Sequence, residues 1–295
     1  MEKYLAIDIG GTSIKYALID KNLNISMNDI MDTPQNSLDE LVNIICTLYE
    51  KYRTKITGIA ISMPGVIDSK NGYCLTGGAL QYLNNVPFVE LLKKKCSVSI
   101  TIANDAKCAG YAEVGFGSLK DVDNSIVLVL GTAIGGCLIK DKEVYIGKHF
   151  GAGEFSFINT DSHHYGEFDY TWWGKNGSNA LLKIYQKLIN SDHQFTGRVI
   201  FEKANNGDKY ALKSLHLYTL ELAIQIFNIQ SIFDAEKIAI GGGVSAQPLL
   251  LELINKNVDE VFSKNQSPIY RPDIVPCKFR NDANLIGALY LHLQN

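Results

Sequence analysis

The sequence has little that would direct it to nucleic acid, a membrane or an oxidising compartment. Its 28 basic and 31 acidic side chains nearly cancel, so no strong field draws the chain to a polyanion or an anionic lipid surface. It has no stretch of about 18 uninterrupted apolar residues, the length of a membrane span, and its first residues lack the segments of a signal peptide. We therefore expect a cytoplasmic protein that binds a small molecule and has no nucleic-acid or membrane partner.

Cysteine is scarce, and its spacing suits neither metal nor disulfide chemistry. The six cysteines include no Cys-x-x-Cys pair, which argues against a zinc knuckle and a dense disulfide framework. The P-loop pattern Gly-x-x-x-x-Gly-Lys-Ser/Thr is also missing, and neither glycine turn described next has the Rossmann spacing Gly-x-Gly-x-x-Gly. Both of these nucleotide-binding classes are thereby disfavoured.

What the sequence does contain is a glycine turn that occurs twice. In AIDIGGTSIKYALID, residues 6–20, two apolar runs flank the turn at 10–12, and in VLVLGTAIGGCLI, residues 127–139, they flank a turn expected at 131–136. Both patterns predict a hairpin. Each hairpin opens a half-chain of strands and helices, which predicts a mixed α/β protein of two duplicated lobes with a ligand between them that touches both turns.

Hydrophobic periodicity predicts the remaining elements. Helices are expected at residues 38–52, 87–95, 106–114, 179–190, 209–233, 248–256 and 282–294, and strands at 58–62, 98–103 and 237–240. At 295 residues the chain is long enough for two lobes. We expect a smaller lobe of residues 1–115 plus 282–295, to which the last helix returns, and a larger lobe of residues 116–281.

The residues of the two turns suit a phosphate group. Glycines let backbone N–H groups converge without a Cβ in the way, and a threonine hydroxyl adds a donor. Asp8, at the end of the first strand, would repel phosphate unless a cation mediates, so we interpret it as a Mg²⁺ ligand that acts through water. Lys15 can help to neutralise phosphate. A tight hairpin turn would use the same residue types, but the occurrence of two such turns favours phosphate.

Six segments, in this order along nearly the whole chain, resemble the ROK family of sugar kinases and related repressors, within the actin-like ATPase superfamily. They are DIGGTSIK at 8–15 (first phosphate motif), GIAISMPGVID at 58–68 (Gly-x-x-x-x-x-Pro-Gly segment), IANDAKCAGYAE at 102–113 (sugar-binding Asn-Asp), LGTAIGGCL at 130–138 (second phosphate motif), GAGEF at 151–155 (start of the sugar-contacting Glu motif) and IAIGGGVS at 238–245 (adenosine motif).

The resemblance implies an ATP-dependent sugar kinase with the duplicated, ribonuclease H-like fold of the actin-like ATPases and a ligand cleft between its lobes. It also implies ATP and Mg²⁺ as cofactors and a homodimer. The positions that match the family's ATP-binding motifs are Asp8, Gly10, Gly11, Thr12, Lys15, Gly131, Thr132, Gly135, Gly136, Gly241, Gly242 and Gly243.

The sugar-binding positions also follow from the resemblance. It makes Asp105 the general base, and it places Asn104, Asp105, Glu154 and Gly65 against the substrate. Other interpretations of the same residues stay open. Asn104 and Asp105 are good helix caps, Glu154 can be a solvated loop acid, and the glycines at 241–243 can form a strand-to-helix turn.

The sequence departs from the family where the family carries zinc. Ser156 and Phe157 stand in place of the Gly-His that commonly follows the family's glutamate, and residues 158–178 contain no cysteine in place of its Cys-rich motif. We therefore expect no zinc. The neighbouring His163 and His164 lack further soft ligands at a suitable spacing and are interpreted as loop residues. The loss of the histidine also leaves recognition of the sugar's C1 and C2 open.

An aromatic segment replaces the zinc motif, with its aromatic side chains at Tyr165, Phe168, Tyr170, Trp172 and Trp173. Aromatic faces stack on sugars, so the segment can be a platform for a second ring, or it can replace zinc as packing. The platform favours a β-glucoside kinase that acts on the 6-hydroxyl of cellobiose or gentiobiose. N-acetylmannosamine kinase and glucokinase are the alternatives within the family.

Two functions of another class use a similar protein body. A ROK repressor would carry a helix-turn-helix segment before the first phosphate motif, but here that motif begins at Asp8, so a DNA-reading module is not expected. A non-catalytic sensor of sugar and ATP is disfavoured because Asp8, Thr12, Asp105 and Thr132 are all retained.

Overall fold

The structure is a computed structural model that describes residues 2–295. These residues form two compact units. The first unit contains the described residues up to Gly117, together with Ile146–Ala152 and Asn281–Asn295. The second unit contains Ser118–Tyr145 and Gly153–Arg280. Within residues 2–295, no helix combines the length and the apolar character that a bilayer crossing requires.

The strands of the described chain are β1 Lys3–Ile9, β2 Ser13–Asp20, β3 Ile25–Asp32, β4 Gly58–Met63, β5 Ile67–Asp68, β6 Tyr73–Cys74, β7 Ser99–Asn104, β8 Ser125–Leu130, β9 Ile134–Lys140, β10 Glu143–Tyr145, β11 Lys237–Gly241 and β12 Asp273–Pro276. The α-helices are α1 Leu38–Tyr52, α2 Phe88–Lys93, α3 Asp105–Phe116, α4 Trp172–Asn176, α5 Ser178–Ile189, α6 Gly197–Asn205, α7 Lys209–Phe233, α8 Pro248–Asn265 and α9 Ala283–Gln294.

The first unit is built on a five-stranded sheet of order β3-β2-β1-β4-β7. The hairpin β1–β2 and the pair β2–β3 are antiparallel, whereas β4 and β7 run parallel to β1. All six residues of β4 are buried. Complete burial is typical of a central parallel strand whose two faces are both covered, and it explains why this strand lacks polar alternation.

The second unit repeats this arrangement with the sheet order β10-β9-β8-β11-β12. Here β8–β9 and β9–β10 are antiparallel, and β11 and β12 run parallel to β8. The two sheets therefore have the same order and the same strand directions, each starting from a glycine-turn hairpin. The predicted mixed α/β class and its duplication are confirmed.

Two helices, α1 and α7, begin and end at the predicted residues, and capping residues explain where they do so. Ser37 precedes α1, and its Oγ accepts the Glu40 N–H at 3.1 Å, which satisfies one of the free donors of the first turn. Asp208 caps α7 in the same way, with Oδ1 accepting two N–H groups. The same helix ends where Asp234 adopts a left-handed backbone at φ 54°.

The second hairpin turn is shorter than predicted. β9 begins at Ile134, so the expected turn over residues 131–136 was wrong, and the turn comprises residues 131–133. Gly135 and Gly136 are strand residues that pair with Val129 and Leu128. A side chain at Gly136 would overlap the Phe155 ring, so packing accounts for this glycine.

In the first unit, the helix α9 packs against elements that lie much earlier in the sequence. α9 contacts α3, β4 and β1, and its Gly287 lies against the backbone carbonyl of Cys108 in α3. A Cβ at this position would overlap that carbonyl oxygen, which belongs to the backbone and cannot move aside by a rotamer change. The close approach of α3 and α9 therefore requires glycine.

We expect Gly287→Ala to lower the free energy of unfolding by about 1–3 kcal/mol, the usual cost of overpacking a well-filled contact. Denaturant and thermal unfolding would measure it. Gly197→Ala is the matched control, because nothing lies within 4 Å of the position its Cβ would occupy. Equal stability of the two variants would contradict the close packing of α3 and α9.

Candidate functional site

The carboxylate of Asp8 is held at the carboxyl end of β1. Its Oδ1 accepts a hydrogen bond from Ser62 Oγ at 2.9 Å and one from Asn284 Nδ2 at 3.1 Å. Asp8 is 8% exposed, and this burial raises its pKa, while the bonds from Ser62 and Asn284 and the positive charge of Lys15 lower it. Lys15 lies opposite Asp8 in the register of β1 and β2.

The arrangement suits a hard cation. Both hydrogen bonds fall on Oδ1, and among the described residues none is directed to Oδ2. A carboxylate oxygen is the kind of ligand that Mg²⁺ accepts, directly or through its water shell. Of the two partners, Ser62 stands at the end of a predicted strand and pairs with Asp8 in register. Asn284 is 276 residues from Asp8 in sequence, and no sequence signal joins the two.

Asn104 and Asp105 are both fixed where β7 passes into α3. Asn104 Oδ1 accepts the Lys107 N–H at 3.1 Å, so this side chain caps the helix. Its Nδ2 donates to the Gly65 carbonyl at 2.9 Å and to Asp105 Oδ1 at 3.0 Å. The structure thus brings the predicted residues Gly65, Asn104 and Asp105 into one hydrogen-bonded group, and the capping interpretation of Asn104 is also correct.

Asp105 is the first residue of α3, and its carboxylate is oriented by two donors. Asn104 Nδ2 and the Ala106 N–H, at 2.7 Å, both donate to Oδ1. A carboxylate at a helix N-terminus is favoured by the partial positive charge of the first turn. The start of the helix and the neighbouring Asn104 therefore both contribute to the orientation of this carboxylate.

Gly65 must be glycine on conformational and steric grounds. Its φ is +96°, and a Cβ would overlap the Thr76 carbonyl oxygen. The neighbouring Val66 N–H donates to Thr76 Oγ1 at 3.0 Å. The Pro-Gly segment is therefore packed against the loop at Thr76, with the Gly65 carbonyl directed to Asn104.

In the second unit, a cavity of about 260 Å³ connects two of the glycine segments. The residues that line it include Gly131, Thr132, Gly243, Leu181, Phe201 and Leu250. Its mainly apolar lining beside a glycine turn suits the base and sugar of a nucleoside. The predicted phosphate and adenosine segments of this unit therefore meet at one cavity.

The three glycines at the end of β11 and just after it, residues 241–243, differ in their surroundings. Gly242 has φ +94°, and a Cβ there would overlap the Leu130 carbonyl. A Cβ at Gly241 would lie 3.1 Å from the Cys277 Sγ. Nothing lies within 4 Å of the corresponding position at Gly243, which lines the cavity. Gly242 thus makes the strand-to-helix turn, and Gly243 leaves space beside it.

Glu154 is partly buried on a sharply turned segment of the second unit. It follows Gly153, whose φ is +82°, and precedes the buried Phe155. Phe155 packs against Trp172, with ring centroids 5.6 Å apart. Phe157, at the position of the family's histidine, is 69% exposed.

The aromatic segment divides into buried and exposed side chains. Trp172 is fully buried, and its Nε1 donates to Asn176 Oδ1 at 2.9 Å. Trp173 Nε1 donates to the Thr132 carbonyl at 2.8 Å. In contrast, Tyr165 is 78% and Phe168 is 52% exposed. Packing therefore accounts for Trp172, while Tyr165 and Phe168 lie at the surface.

The histidines that follow the glutamate motif make local contacts. The ring of His164 stacks on Tyr170 at 4.0 Å between centroids, and its Nδ1 lies 3.3 Å from Asp161. Over residues 2–295, no group of three or more His, Cys, Asp or Glu side chains is placed to hold a metal ion. The expectation that zinc is not used stays a prediction.

Comparison with known proteins agrees with this geometry. The ROK family model matches residues 4–295. A β-glucoside kinase of Listeria monocytogenes serovar 1/2a is 27% identical over 99% of this chain and 98% of its own length. An N-acetylmannosamine kinase of Salmonella newport is 27% identical over 97% of each chain.

A solved structure shares the architecture. It is that of a ROK family protein from Streptococcus pneumoniae TIGR4 in complex with sucrose, which superimposes with a TM-score of 0.87 and 26% identity over 99% of this chain and 98% of that one. The family match spans both units described above. The chain therefore belongs to the ROK family, and its two equally ordered sheets give it the actin-like ATPase fold.

Proposed function

We propose that this ROK sugar kinase transfers the γ-phosphoryl group of ATP to the 6-hydroxyl of a β-glucoside disaccharide, of the cellobiose or gentiobiose type. The observation that carries the phosphoryl-transfer chemistry is the glycine turn at the same place in each of two equally ordered sheets. The acceptor is inferred from the sugar-binding segments and from the relatives.

Asp105 is proposed as the general base. Its carboxylate is oriented by Asn104 and by the Ala106 N–H. It would accept the proton of the sugar hydroxyl as that oxygen bonds to the γ-phosphorus and the bond to ADP breaks. Phosphoryl transfer depends mainly on alignment and charge neutralisation, and a positioned base adds about 10²- to 10⁴-fold.

We also propose which residues of the two units bind the nucleotide, from the family's motifs and from the geometry described above. Asp8 would hold Mg²⁺ through water, and this ion would neutralise charge on the phosphates. The turns at residues 10–12 and 131–133 would donate N–H groups to phosphate oxygens. The cavity beside Gly243 would take the adenosine. Glu154 and Asn104 would bind sugar hydroxyls.

The β-glucoside acceptor is supported by three observations. Phe157 replaces the family's histidine and is 69% exposed, so an aromatic face is available to a second sugar ring. A relative over nearly the full length is named a β-glucoside kinase. The Streptococcus pneumoniae ROK protein was solved with sucrose, which is also a disaccharide.

N-acetylmannosamine is the second candidate acceptor. A relative named an N-acetylmannosamine kinase is 27% identical, as is the β-glucoside kinase. The absence of the family's histidine would leave room for an acetamido group at C2. We also propose a homodimer, by likeness to the family, and a cytoplasmic location, where ATP is available.

We expect the purified enzyme with Mg²⁺ and ATP to have its highest kcat/KM on cellobiose or gentiobiose. A coupled assay of ADP formation would compare them with glucose, N-acetylmannosamine, N-acetylglucosamine, fructose and mannose, and NMR of the product would locate the phosphate on O6. A preference for N-acetylmannosamine would favour the second candidate. No turnover with any sugar would favour a non-catalytic sensor.

Asp105→Asn should lower kcat by about 10²- to 10⁴-fold, because it removes the base and keeps the shape of the side chain. Binding of MgATP, measured by calorimetry, should stay unchanged. Asp29→Asn, on the exposed face of β3, is the matched control and should keep full activity. Near-normal turnover of Asp105→Asn would remove Asp105 from the role of base.

Phe157→Ala should raise the KM for cellobiose by about three- to tenfold, the value of one aromatic stacking contact, and change the KM for glucose little. Steady-state kinetics with both sugars would measure this difference. Tyr270→Ala removes an aromatic ring that is 83% exposed and serves as the control. An equal change for both sugars would contradict stacking of a second ring on Phe157.

A further inference from the structure

The carbonyl groups of the second turn are each held by a hydrogen bond. The Gly131 carbonyl accepts the Ser178 N–H at 2.9 Å, and the Thr132 carbonyl accepts Trp173 Nε1 at 2.8 Å. The Ala133 carbonyl accepts the Gly131 N–H at 3.1 Å. Of these three donors, Trp173 belongs to the aromatic segment and Ser178 is the first residue of α5.

The residue after this turn is also fixed. Ser156 Oγ accepts the Ile134 N–H at 3.0 Å and donates to the Ile134 carbonyl at 2.9 Å. Ser156 is 7% exposed, so these bonds lie within the protein. The turn is therefore held at its end as well as at its carbonyls.

The first turn has the same arrangement, made by unrelated residues. The Gly10 carbonyl accepts Thr33 Oγ1 at 2.8 Å, and the Thr12 carbonyl accepts the Thr33 N–H at 3.0 Å. The Gly11 carbonyl accepts Gln35 Nε2 at 3.0 Å. The same Nε2 also donates to the Thr33 carbonyl at 2.8 Å, which fixes the orientation of this amide.

Peptide planarity turns these bonds into control of the N–H groups. In a trans peptide, the carbonyl of one residue and the N–H of the next are coplanar and point in opposite directions. A donor that holds the Gly11 carbonyl therefore directs the Thr12 N–H away from Gln35. In the same way, a donor that holds the Thr132 carbonyl directs the Ala133 N–H away from Trp173.

These N–H groups have no hydrogen-bond acceptor within the described chain. Between residues 2 and 295, the N–H groups of Gly11, Thr12, Thr132 and Ala133 make no hydrogen bond to protein. Successive backbone N–H groups in a turn can form an anion-binding concavity. Thus in each turn the carbonyls are occupied and adjacent N–H groups are left for a ligand.

We propose that Gln35 and Trp173 are positioning residues, which hold the two turns with their N–H groups directed to the phosphates of the nucleotide. The identity of the anion rests on the proposed function, whereas the hydrogen bonds themselves do not. Trp173 thereby has a role that neither a sugar platform nor simple packing describes. Both residues act through a side-chain N–H on one turn carbonyl.

The size of the effect follows from the bonds that are lost. A neutral hydrogen bond contributes little net stability when water can replace it, so the fold should survive its removal. The freed carbonyl can then rotate toward the ligand, which turns an N–H away and places an oxygen near phosphate. We expect the affinity for phosphates to fall by about three- to tenfold for each variant.

The test compares a ligand that has phosphates with one that has none. Trp173→Phe keeps a ring against Phe168, which it contacts edge to face at 5.1 Å, and removes the N–H. Gln35→Met keeps the length of an exposed side chain and removes both donors. Calorimetry would give the Kd of MgATP and of adenosine for wild type, for each variant and for the double variant.

The expected result is a three- to tenfold weaker binding of MgATP with unchanged binding of adenosine. The KM for the sugar and the melting temperature should also stay close to those of the wild type. In the double variant, the two losses should at least multiply. A general loss of structure would instead weaken both ligands together.

Two controls match the substitutions. Gln186→Met removes an Nε2 donor to the His193 carbonyl, at 2.8 Å, remote in sequence from either turn. Trp172→Phe removes the neighbouring indole N–H, which is bonded to Asn176. Gln186→Met should change neither ligand's affinity, and Trp172→Phe should lower the melting temperature without changing the ratio of the two Kd values.

The proposal is overturned if Trp173→Phe and Gln35→Met leave this ratio unchanged, or if Trp172→Phe changes it as much. Failure of the proposed function gives a different result. If wild type binds MgATP but phosphorylates no sugar, the kinase assignment fails and the ratio still tests the two residues. If wild type does not bind MgATP, both fail.

Discussion

The parallel register of three strands determines where the polar side chains of the first unit lie. Asp8 of β1 stands opposite Ser62 of β4, and Met63 of β4 stands opposite Asn104 of β7. Because side chains alternate between the faces of a sheet, a shift of one residue would move Asp8 to the other face, away from Ser62. The residues of β1 and β4 are almost all buried, and this packing maintains their register. The hydrogen bonds at this edge therefore depend on apolar packing several residues away.

Local signals in the sequence were sufficient for α1 and α7 and for the positions where the two glycine turns begin. α1 and α7 begin after capping residues, Ser37 and Asp208, that can be recognised within three or four positions. β3 was missed because its residues are mostly exposed and it is held by pairing with β2, which periodicity does not reveal. α6 and β12 were missed as well.

The candidate site was predictable only in part, for a related reason. Asp8, Asn104 and Asp105 are found from motifs that each lie within a few residues of a strand end. Their partners come from distant parts of the chain, as Asn284 does for Asp8. A hydrogen bond between residues far apart in sequence cannot be recognised from the local sequence pattern, so only the folded chain shows it.

The hydrogen bond from Asn284 to Asp8 has a consequence for the order in which the first unit assembles. The ribosome makes Asp8 of β1 276 residues before Asn284 of α9, and α9 packs against β1, β4 and α3. A nascent chain can form the first hairpin early, but its Asp8 carboxylate lacks one of its two donors until the final helix has left the exit tunnel. The hydrogen bonding of the first-strand carboxylate is thus completed only when α9 has packed onto the sheet, so an element made late is needed to finish one made early.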